Sequence, residues 1–199
     1  NDMIKSGISG VTFIAANTDN QDLNKSLADV KIRLGVQLTK GLGAGATPEV
    51  GREAAEESAE DIKQMLQDTN MLFITAGMGG GTGTGAAPAI AEMAREMGIL
   101  TIGITTKPFG FEGKKRQVNA EFGINELKRT VDTLVIIPND KLFALPNKEI
   151  TMLNAFEEAN NVLKIGVKGI TEVMTRQGYI NLDFADVRTT MSNKGIAHM

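Results

Sequence analysis

The chain has 199 residues, 42% of them hydrophobic and 23% charged, so it is long enough for one domain with a sizeable core and has an ordinary globular composition. It has no cysteine, which excludes disulfides and thiol chemistry, and its single histidine, His198, argues against a multi-histidine metal site or a Ser-His-Asp triad. The net charge is −3 without a long run of Lys and Arg, which argues against nucleic-acid binding, and no stretch approaches the ~20 apolar residues that span a bilayer.

Short apolar runs alternate with helix-periodic segments along the chain. Residues 1–7 are typical of the tail of a helix, and residues 178–187 resemble a turn that carries two acids. The pattern predicts strands at 11–18, 70–77, 99–106 and 133–138, and helices at 48–67, 86–97, 114–130 and 151–175. Apolar strands that alternate with helices predict an α/β fold with a Rossmann-like, doubly wound, mostly parallel sheet. The broad apolar stripe of the last helix predicts that it is central and buried on more than one side.

A glycine-rich loop follows the predicted strand 70–77 and precedes a predicted helix. Without side chains, its backbone can approach a ligand closely, and successive N–H groups beside a helix start can bind an anion such as polyphosphate. The loop interleaves six glycines with two threonines: Gly77, Gly79, Gly80, Gly81, Thr82, Gly83, Thr84 and Gly85.

Other interpretations of this loop remain open. A P-loop needs a lysine, and no Lys or Arg occurs between Met78 and Ala94. Residues 81–86 match GxGxxA, but the next strand ends in Thr105, Thr106 and Lys107, not in the acid that binds a dinucleotide ribose. The glycines could also form only a tight turn. A second glycine loop at 41–47 is equally compatible with a phosphate contact and with a plain loop.

Several segments together resemble the tubulin/FtsZ family in its bacterial cell-division form. They occur in the family's order and spacing and cover essentially the whole chain: 15–19 (AANTD), 41–48 (GLGAGATP), 77–88 (GMGGGTGTGAAP), 108–116 (PFGFEGKKR), 137–141 (IPNDK) and 181–188 (NLDFADVR). The resemblance implies a GTPase that polymerises head-to-tail into the division ring. It also implies a cytoplasmic protein at mid-cell, with a membrane adaptor that binds a tail beyond residue 199.

The resemblance implies roles for individual residues in binding GTP. Glu112 and Arg116 would bind the ribose side, although by spacing alone they also fit a surface i,i+4 ion pair. Phe156 would stack on guanine, although such a residue also fits a core position, and Asn160 and Asn139 would read the base edge. The phosphates would contact Gly45, Ala46, Gly79, Gly80, Gly81, Thr82, Gly83 and Thr84.

For hydrolysis, the resemblance implies that a loop of the next subunit completes the site. Asp183 and Asp186 would polarise the attacking water and Asn181 would orient it. By position alone, the two acids also fit a helix N-terminus, where they favour the helix dipole. Mg²⁺ is expected from the phosphate charge, with Asp19 assisting through water.

We also expect the chain to be a fragment of the GTPase domain. Residues 1–177 would be a GTP-binding domain without the family's first strand and first glycine loop, and 178–199 the catalytic loop and the start of the next helix, before the C-terminal domain. We therefore expect this chain alone to bind GTP weakly and to hydrolyse it very slowly. A tubulin-like plasmid-partition filament GTPase, a noncatalytic nucleotide-gated scaffold and a nicotinamide oxidoreductase remain alternatives.

Overall fold

A computed structural model describes residues 1–8, 10–144, 150–175, 184–192 and 195–198. The strands are β1 (Ile14–Asn17), β2 (Val30–Arg33), β3 (Met71–Gly77), β4 (Leu100–Lys107), β5 (Thr133–Pro138) and β6 (Gly195–His198). The α-helices are α1 (Asp2–Lys5), α2 (Asn20–Asn24), α3 (Val36–Thr39), α4 (Pro48–Glu57), α5 (Ala59–Met65), α6 (Thr82–Glu96), α7 (Lys114–Thr130), α8 (Ala155–Thr175) and α9 (Phe184–Met191). Two 3₁₀ segments, Gly110–Glu112 and Asn139–Ala144, follow β4 and β5.

Every strand pairing in the described residues is parallel, which confirms the predicted fold class. β1 pairs with β2, and β3, β4, β5 and β6 form a second sheet in that order. β4 and β5 are buried along almost their whole length, as expected for parallel strands that are covered on both faces. Because the strands are parallel, the loops after β3, β4 and β5 emerge at one edge of the sheet.

Helices pack on both faces of the four-stranded sheet. On one face, α6 and α7 contribute Ala91 and Leu127 to a core that includes Leu134 of β5. On the other face, Val167 of the long helix α8 packs against Ile102 and Ile104 of β4. The prediction of a long central helix is therefore confirmed. Among the described helices, none is long and apolar enough to cross a membrane.

Several boundaries differ from the predictions because of tertiary contacts. The helix predicted at 48–67 is interrupted at Ser58, whose buried hydroxyl accepts a hydrogen bond from Gly35 N–H at 3.0 Å. The helix predicted from 151 begins at Ala155, since Asn154 Oδ1 accepts from Thr151 N–H at 2.7 Å in a turn. The helix expected near the C-terminal end begins at Phe184, and the strand β6 after it was not predicted.

The edges of β1 and β3 face a cavity of about 870 Å³. Its walls include Ile14 and Ala16 of β1 and Met71, Phe73 and Thr75 of β3. Within the described residues neither of these edges pairs with a strand on the cavity side. The cavity therefore separates two parallel sheets whose facing backbones offer N–H and C=O groups.

Helices α4 and α6 approach so closely that only glycine fits at two contact points. A Cβ atom at Gly85 would overlap the carbonyl oxygen of Pro48, and one at Gly51 would overlap the carbonyl oxygen of Gly81. Both glycines lie inside helices, where alanine would otherwise be favoured by about 1 kcal/mol. Close packing between the two helix N-termini therefore requires these glycines.

We expect Gly85→Ala to destabilise the protein by about 1–3 kcal/mol, because the overlap with Pro48 outweighs the gain in helix propensity. Urea unfolding of the full-length protein, followed by circular dichroism, measures this change. Gly169→Ala in α8 is a matched control, since a Cβ there has no heavy atom within 4 Å. A destabilisation by Gly85→Ala no larger than that of the control would contradict the packing argument.

Candidate functional site

The glycine loop after β3 is shorter than predicted, because α6 begins at Thr82 and not at Ala86. Thr82, Gly83 and Thr84 therefore form the first turn of the helix. Glycine at position 83 again permits close packing, since a Cβ atom there would lie 2.7 Å from the carbonyl oxygen of Gly77. The loop proper turns at Gly79, whose φ of 116° favours glycine.

The first turn of α6 presents N–H groups without acceptors. The first backbone hydrogen bond at this helix end runs from Gly85 N–H to Gly81 O at 3.0 Å. Within the described residues, no acceptor is found for the N–H groups of Gly80, Thr82, Gly83 and Thr84. Such a cluster at the positive end of a helix dipole is an anion-binding site.

Two other N–H groups of the loop are used inside the protein. Gly79 N–H donates to the buried Thr84 hydroxyl at 2.9 Å, and Gly81 N–H donates to Gly45 O at 3.0 Å. The backbone N–H groups of Gly79 and Gly81 therefore stabilise the conformation of the loop, and the Thr84 hydroxyl does so by accepting one of these hydrogen bonds. The hydroxyl of Thr82 is hydrogen-bonded to that of Thr18, at the end of β1, at 2.6 Å.

The second glycine loop lies beside the first. The Gly81–Gly45 hydrogen bond joins the two loops directly, and Pro48 at the start of α4 contacts α6 at Gly85. Gly45 has a φ of 58°, and both Gly45 and Gly80 would direct a Cβ atom into open space. The two loops thus meet in one crevice at the carboxyl ends of the strands.

The predicted ribose-side residues form an ion pair next to the glycine loop. Glu112 accepts from Arg116 Nη1 at 3.2 Å and from the N–H of Phe109 at 2.9 Å. The Glu112 side chain is only 12% exposed, whereas that of Arg116 is 53% exposed and can turn toward a ligand. The backbone of Arg116 lies against Gly79, so this pair adjoins the loop after β3.

The predicted base-side residues lie around an aromatic cluster. The rings of Phe109, Phe111 and Phe156 lie within 6.0 Å of one another, and Phe156 is half-exposed on α8. Asn160 is exposed one helical turn after Phe156. Asn139 is 5% exposed, and its Oδ1 atom has no hydrogen-bond donor among the described residues. A buried amide oxygen without a donor is suited to accept from a ligand N–H.

The predicted catalytic acids are described only in part. Asn181 and Asp183 lie outside the described residues, whereas Asp186 is exposed on α9. Two contacts fix the position of α9: Arg188 Nη2 donates to Gly98 O at 3.1 Å, and the Thr133 hydroxyl donates to Met191 O at 2.7 Å. Gly98 and Thr133 lie at the amino ends of β4 and β5, so α9 is at the opposite edge of the sheet from the glycine loops.

Asp19 caps helix α2, because its Oδ1 accepts from the N–H groups of Gln21 and Asp22 at 2.8 and 3.2 Å. Its Oδ2 lies beside Gly43 in the second glycine loop. Among the described residues, no cluster of three or more acidic or histidine side chains could hold a metal alone. A cation here would take its other ligands from a bound phosphate, which fits the preference of Mg²⁺ for few protein ligands.

Sequence reasoning missed two residues of this region. Thr18 was part of a predicted strand, and its fully buried hydroxyl contacts Thr82. Asn119 on α7 donates to Ala46 O at 3.1 Å and to Gly79 O at 3.3 Å. The only sequence signal for Asn119 was its spacing of three residues from Arg116, which puts both on one face of the helix.

Comparison with known proteins identifies the family. A profile of the Tubulin/FtsZ family, GTPase domain, matches residues 1–147. A solved "FtsZ dimer, empty" from M. jannaschii is 50% identical, with a TM-score of 0.92 over 98% of this chain and 56% of that chain. A W319Y mutant of FtsZ from M. jannaschii is 49% identical, with a TM-score of 0.94 over 98% of this chain and 59% of that chain.

A more distant structure shares the fold. CetZ2 from Haloferax volcanii, solved as a GTPgS-bound protofilament, is 23% identical, with a TM-score of 0.79 over 97% of this chain and 57% of that chain. The present chain thus spans somewhat more than half the length of these solved chains. From the profile match and the identity to FtsZ, we conclude that this chain belongs to the tubulin/FtsZ family.

Proposed function

We propose that this chain binds the triphosphate of GTP in the crevice between its two glycine loops. The observation that carries the proposal is the set of N–H groups on Gly80, Thr82, Gly83 and Thr84, for which the described part of the chain supplies no acceptor. Four such donors at one helix end offer an oxyanion more hydrogen bonds than a tight turn needs. Gly45 and Ala46 approach the far phosphate from the second loop, and Asp19 would help to hold a Mg²⁺ ion through water, which would neutralise phosphate charge.

In this proposal, the selectivity for guanine comes from the predicted base-side residues Asn139, Phe156 and Asn160. The Oδ1 of Asn139, which no group of the described residues satisfies, is an acceptor for a guanine N–H, while its NH₂ group donates to an acceptor on the base. Phe156 offers a half-exposed ring face for stacking, and Asn160 follows on the same side of α8. Glu112 and Arg116 bind the ribose side, where Arg116 has the freedom to leave its ion pair.

We further propose that the protein hydrolyses GTP only as a head-to-tail polymer. Asp186 lies at the amino-end edge of a sheet whose eight-residue strand β4 is roughly 23 Å long, whereas GTP binds at the carboxyl-end edge. A carboxylate at this separation cannot position a water molecule on the γ-phosphate of its own subunit. In a stacked polymer, the amino-end edge of one subunit covers the crevice of the next, so Asp183, Asp186 and Asn181 act in trans.

The cellular role that follows is assembly of the bacterial division ring in the cytoplasm at mid-cell. The 50% identity to an FtsZ over 98% of this chain supports this role over that of a plasmid-partition filament. A membrane adaptor and other division proteins would then bind a part of the protein beyond residue 199. Two copies of one chain in the "FtsZ dimer" structure support self-association.

We also propose that the cavity between β1 and β3 accepts an extended segment of the protein as a further parallel strand. The occupant is the family's first strand, which would pair with both facing edges and join the two sheets. It would pack against the apolar wall of the cavity, to which Met71 and Phe73 contribute. The fold of the GTP site then depends on this strand, because β1 carries Thr18 and β3 carries the first glycine loop.

Substitution of Gly80 tests the phosphate site. A methyl group at Gly80 meets no protein atom within 4 Å, so Gly80→Ala should leave the unfolding free energy within about 0.5 kcal/mol of the wild type. Because the methyl group would occupy open space next to the N–H donor of Gly80 itself, the affinity for GTP should fall by about tenfold or more, which corresponds to ~1.4 kcal/mol. Titration with fluorescent GTP measures this, with Gly169→Ala as the control. Unchanged affinity would show that the phosphates bind elsewhere.

A mixing experiment tests catalysis in trans. Asp186→Ala should keep GTP affinity but lose about 10²-fold or more in turnover, as expected for loss of a group that activates water. Gly80→Ala should lose turnover through weak binding while retaining Asp186. A mixture of the two variants should exceed the summed rates of the separate proteins, because one supplies the nucleotide site and the other the acid. Strict additivity at all ratios would contradict head-to-tail completion of the site.

Comparison of two chain lengths tests the proposed strand. The 199-residue chain alone should bind GTP more weakly than a version with the family's first strand at its N-terminus, and should unfold at lower urea concentration. The added strand satisfies backbone groups on both cavity edges and buries apolar surface, each of which stabilises the fold. Equal GTP affinity and equal unfolding midpoints for the two lengths would refute this proposal.

A further inference from the structure

Asn119 is the feature of the site that family resemblance did not assign. It lies half-buried on α7, and its Nδ2 atom lies 3.1 Å from Ala46 O and 3.3 Å from Gly79 O. Both partners are backbone carbonyls, which only accept, so the amide nitrogen must face them. One NH₂ group therefore donates to both glycine loops, across 73 and 40 residues of sequence.

Few side chains contact the tip of the second glycine loop, which is formed by Gly45 and Ala46. Within the described residues, Asn119 is the only side chain that hydrogen-bonds to residues 43–47. The other links are made by backbone groups, including Gly81 N–H to Gly45 O and Thr47 N–H to Ala44 O. Gly45 and Ala46 are exposed, whereas Ala44 is buried against Gly81, so packing anchors the base of the loop but not its tip. The Asn119 hydrogen bond is therefore a substantial part of what fixes the tip at Ala46.

Helix α7 is itself firmly positioned against the first loop. One turn after Asn119, a Cβ atom at Gly123 would lie 2.5 Å from Thr84 Cγ2, so the helix backbone lies directly on the first turn of α6. One turn before Asn119, Arg116 lies beside Gly79. Asn119 thus extends from a helix that is fixed relative to the first loop and reaches out to the second.

We propose that Asn119 is a positioning residue that sets the distance between the two loops and thereby the preference for GTP over GDP. The inference rests on the proposed function, in which the second loop contacts the far phosphate and the first loop the others. When the Asn119 link is lost, the second loop moves away from the phosphate that GDP lacks. GTP then loses more affinity than GDP does.

The test compares GTP and GDP affinities of Asn119→Leu, which has a similar shape but no donor, in the full-length protein. We expect GTP affinity to fall by about tenfold, the equivalent of one to two net hydrogen bonds, and GDP affinity to fall by less than about twofold. Asn119→Ala should give the same pattern without any risk of overpacking. Asn119→Gln, which retains the NH₂ group, should restore part of the preference.

Gln117 provides a matched control. It is an amide on the same helix, and its only side-chain hydrogen bond within the described residues is from Nε2 to Pro108 O at 3.2 Å. Gln117→Leu should leave the ratio of GTP to GDP affinity unchanged, even if it lowers stability. Equal losses of GTP and GDP affinity in both Asn119→Leu and Asn119→Ala would overturn the inference. Failure of the wild type to bind GTP would instead overturn the proposed function.

Discussion

The close contact between the N-termini of α4 and α6 is the constraint on which the site depends. Glycine at positions 51 and 85 lets the two helix backbones touch, and this contact brings the second glycine loop within hydrogen-bonding distance of the first. The hydrogen bond from Gly81 to Gly45 then aligns the loops. The start of α6 is thereby held beside the second glycine loop, and its positive end lies where an anion would bind.

This arrangement explains why the glycines are so dense in a segment that is partly helical. Gly83 and Gly85 lie inside α6, where their flexibility would weaken the helix if nothing compensated for it. Both glycines are needed for steric reasons, since each lets a backbone carbonyl oxygen occupy the space that a Cβ atom would otherwise fill. Gly79 has the complementary role, because its positive φ turns the chain between β3 and the helix.

The opposite edges of the sheet divide the proposed chemistry between two subunits. The proposed nucleotide crevice lies where β3 and β4 end, and α9 is attached where β4 and β5 begin. Under the proposed mechanism, a single copy would therefore have one half of a complete site at each edge. Stacking of identical copies would bring unlike edges together, which is a heterologous contact that repeats without closing and so would generate a filament.

The sequence predicted the elements whose signals are local. The bounds of α7 and β5 agree with the prediction because periodicity, apolar content and flanking residues coincide there. β2 was missed because four residues carry little pattern and its partner β1 lies sixteen residues away. The start of α6 was misjudged since glycines usually indicate a loop, and the break at Ser58 depends on Gly35. Asn119 could not be found, because both of its partners are distant in sequence.

The predicted loop residues lie together in the structure, but the sequence alone does not show which of their N–H groups are used inside the protein. The sequence cannot distinguish a glycine whose N–H donates to another group of the protein from one whose N–H can donate to a ligand. Gly79 is of the first kind and Gly80 of the second, within the described residues. The same holds for Asn139, whose orphaned oxygen is evident only once its burial is known. The assignment of Asn181 and Asp183 still rests on the family resemblance.

The proposed phosphate site is built from backbone N–H groups, and this affects how phosphate binding would respond to pH. Peptide N–H groups neither gain nor lose a proton in the physiological range, unlike a lysine or histidine in the same place. In the proposed site, the proton balance of phosphate binding would therefore be governed by the nucleotide, since the second pKa of a phosphate group lies near ~6. A lower pH would first change the charge of the nucleotide and would leave the backbone N–H donors unchanged.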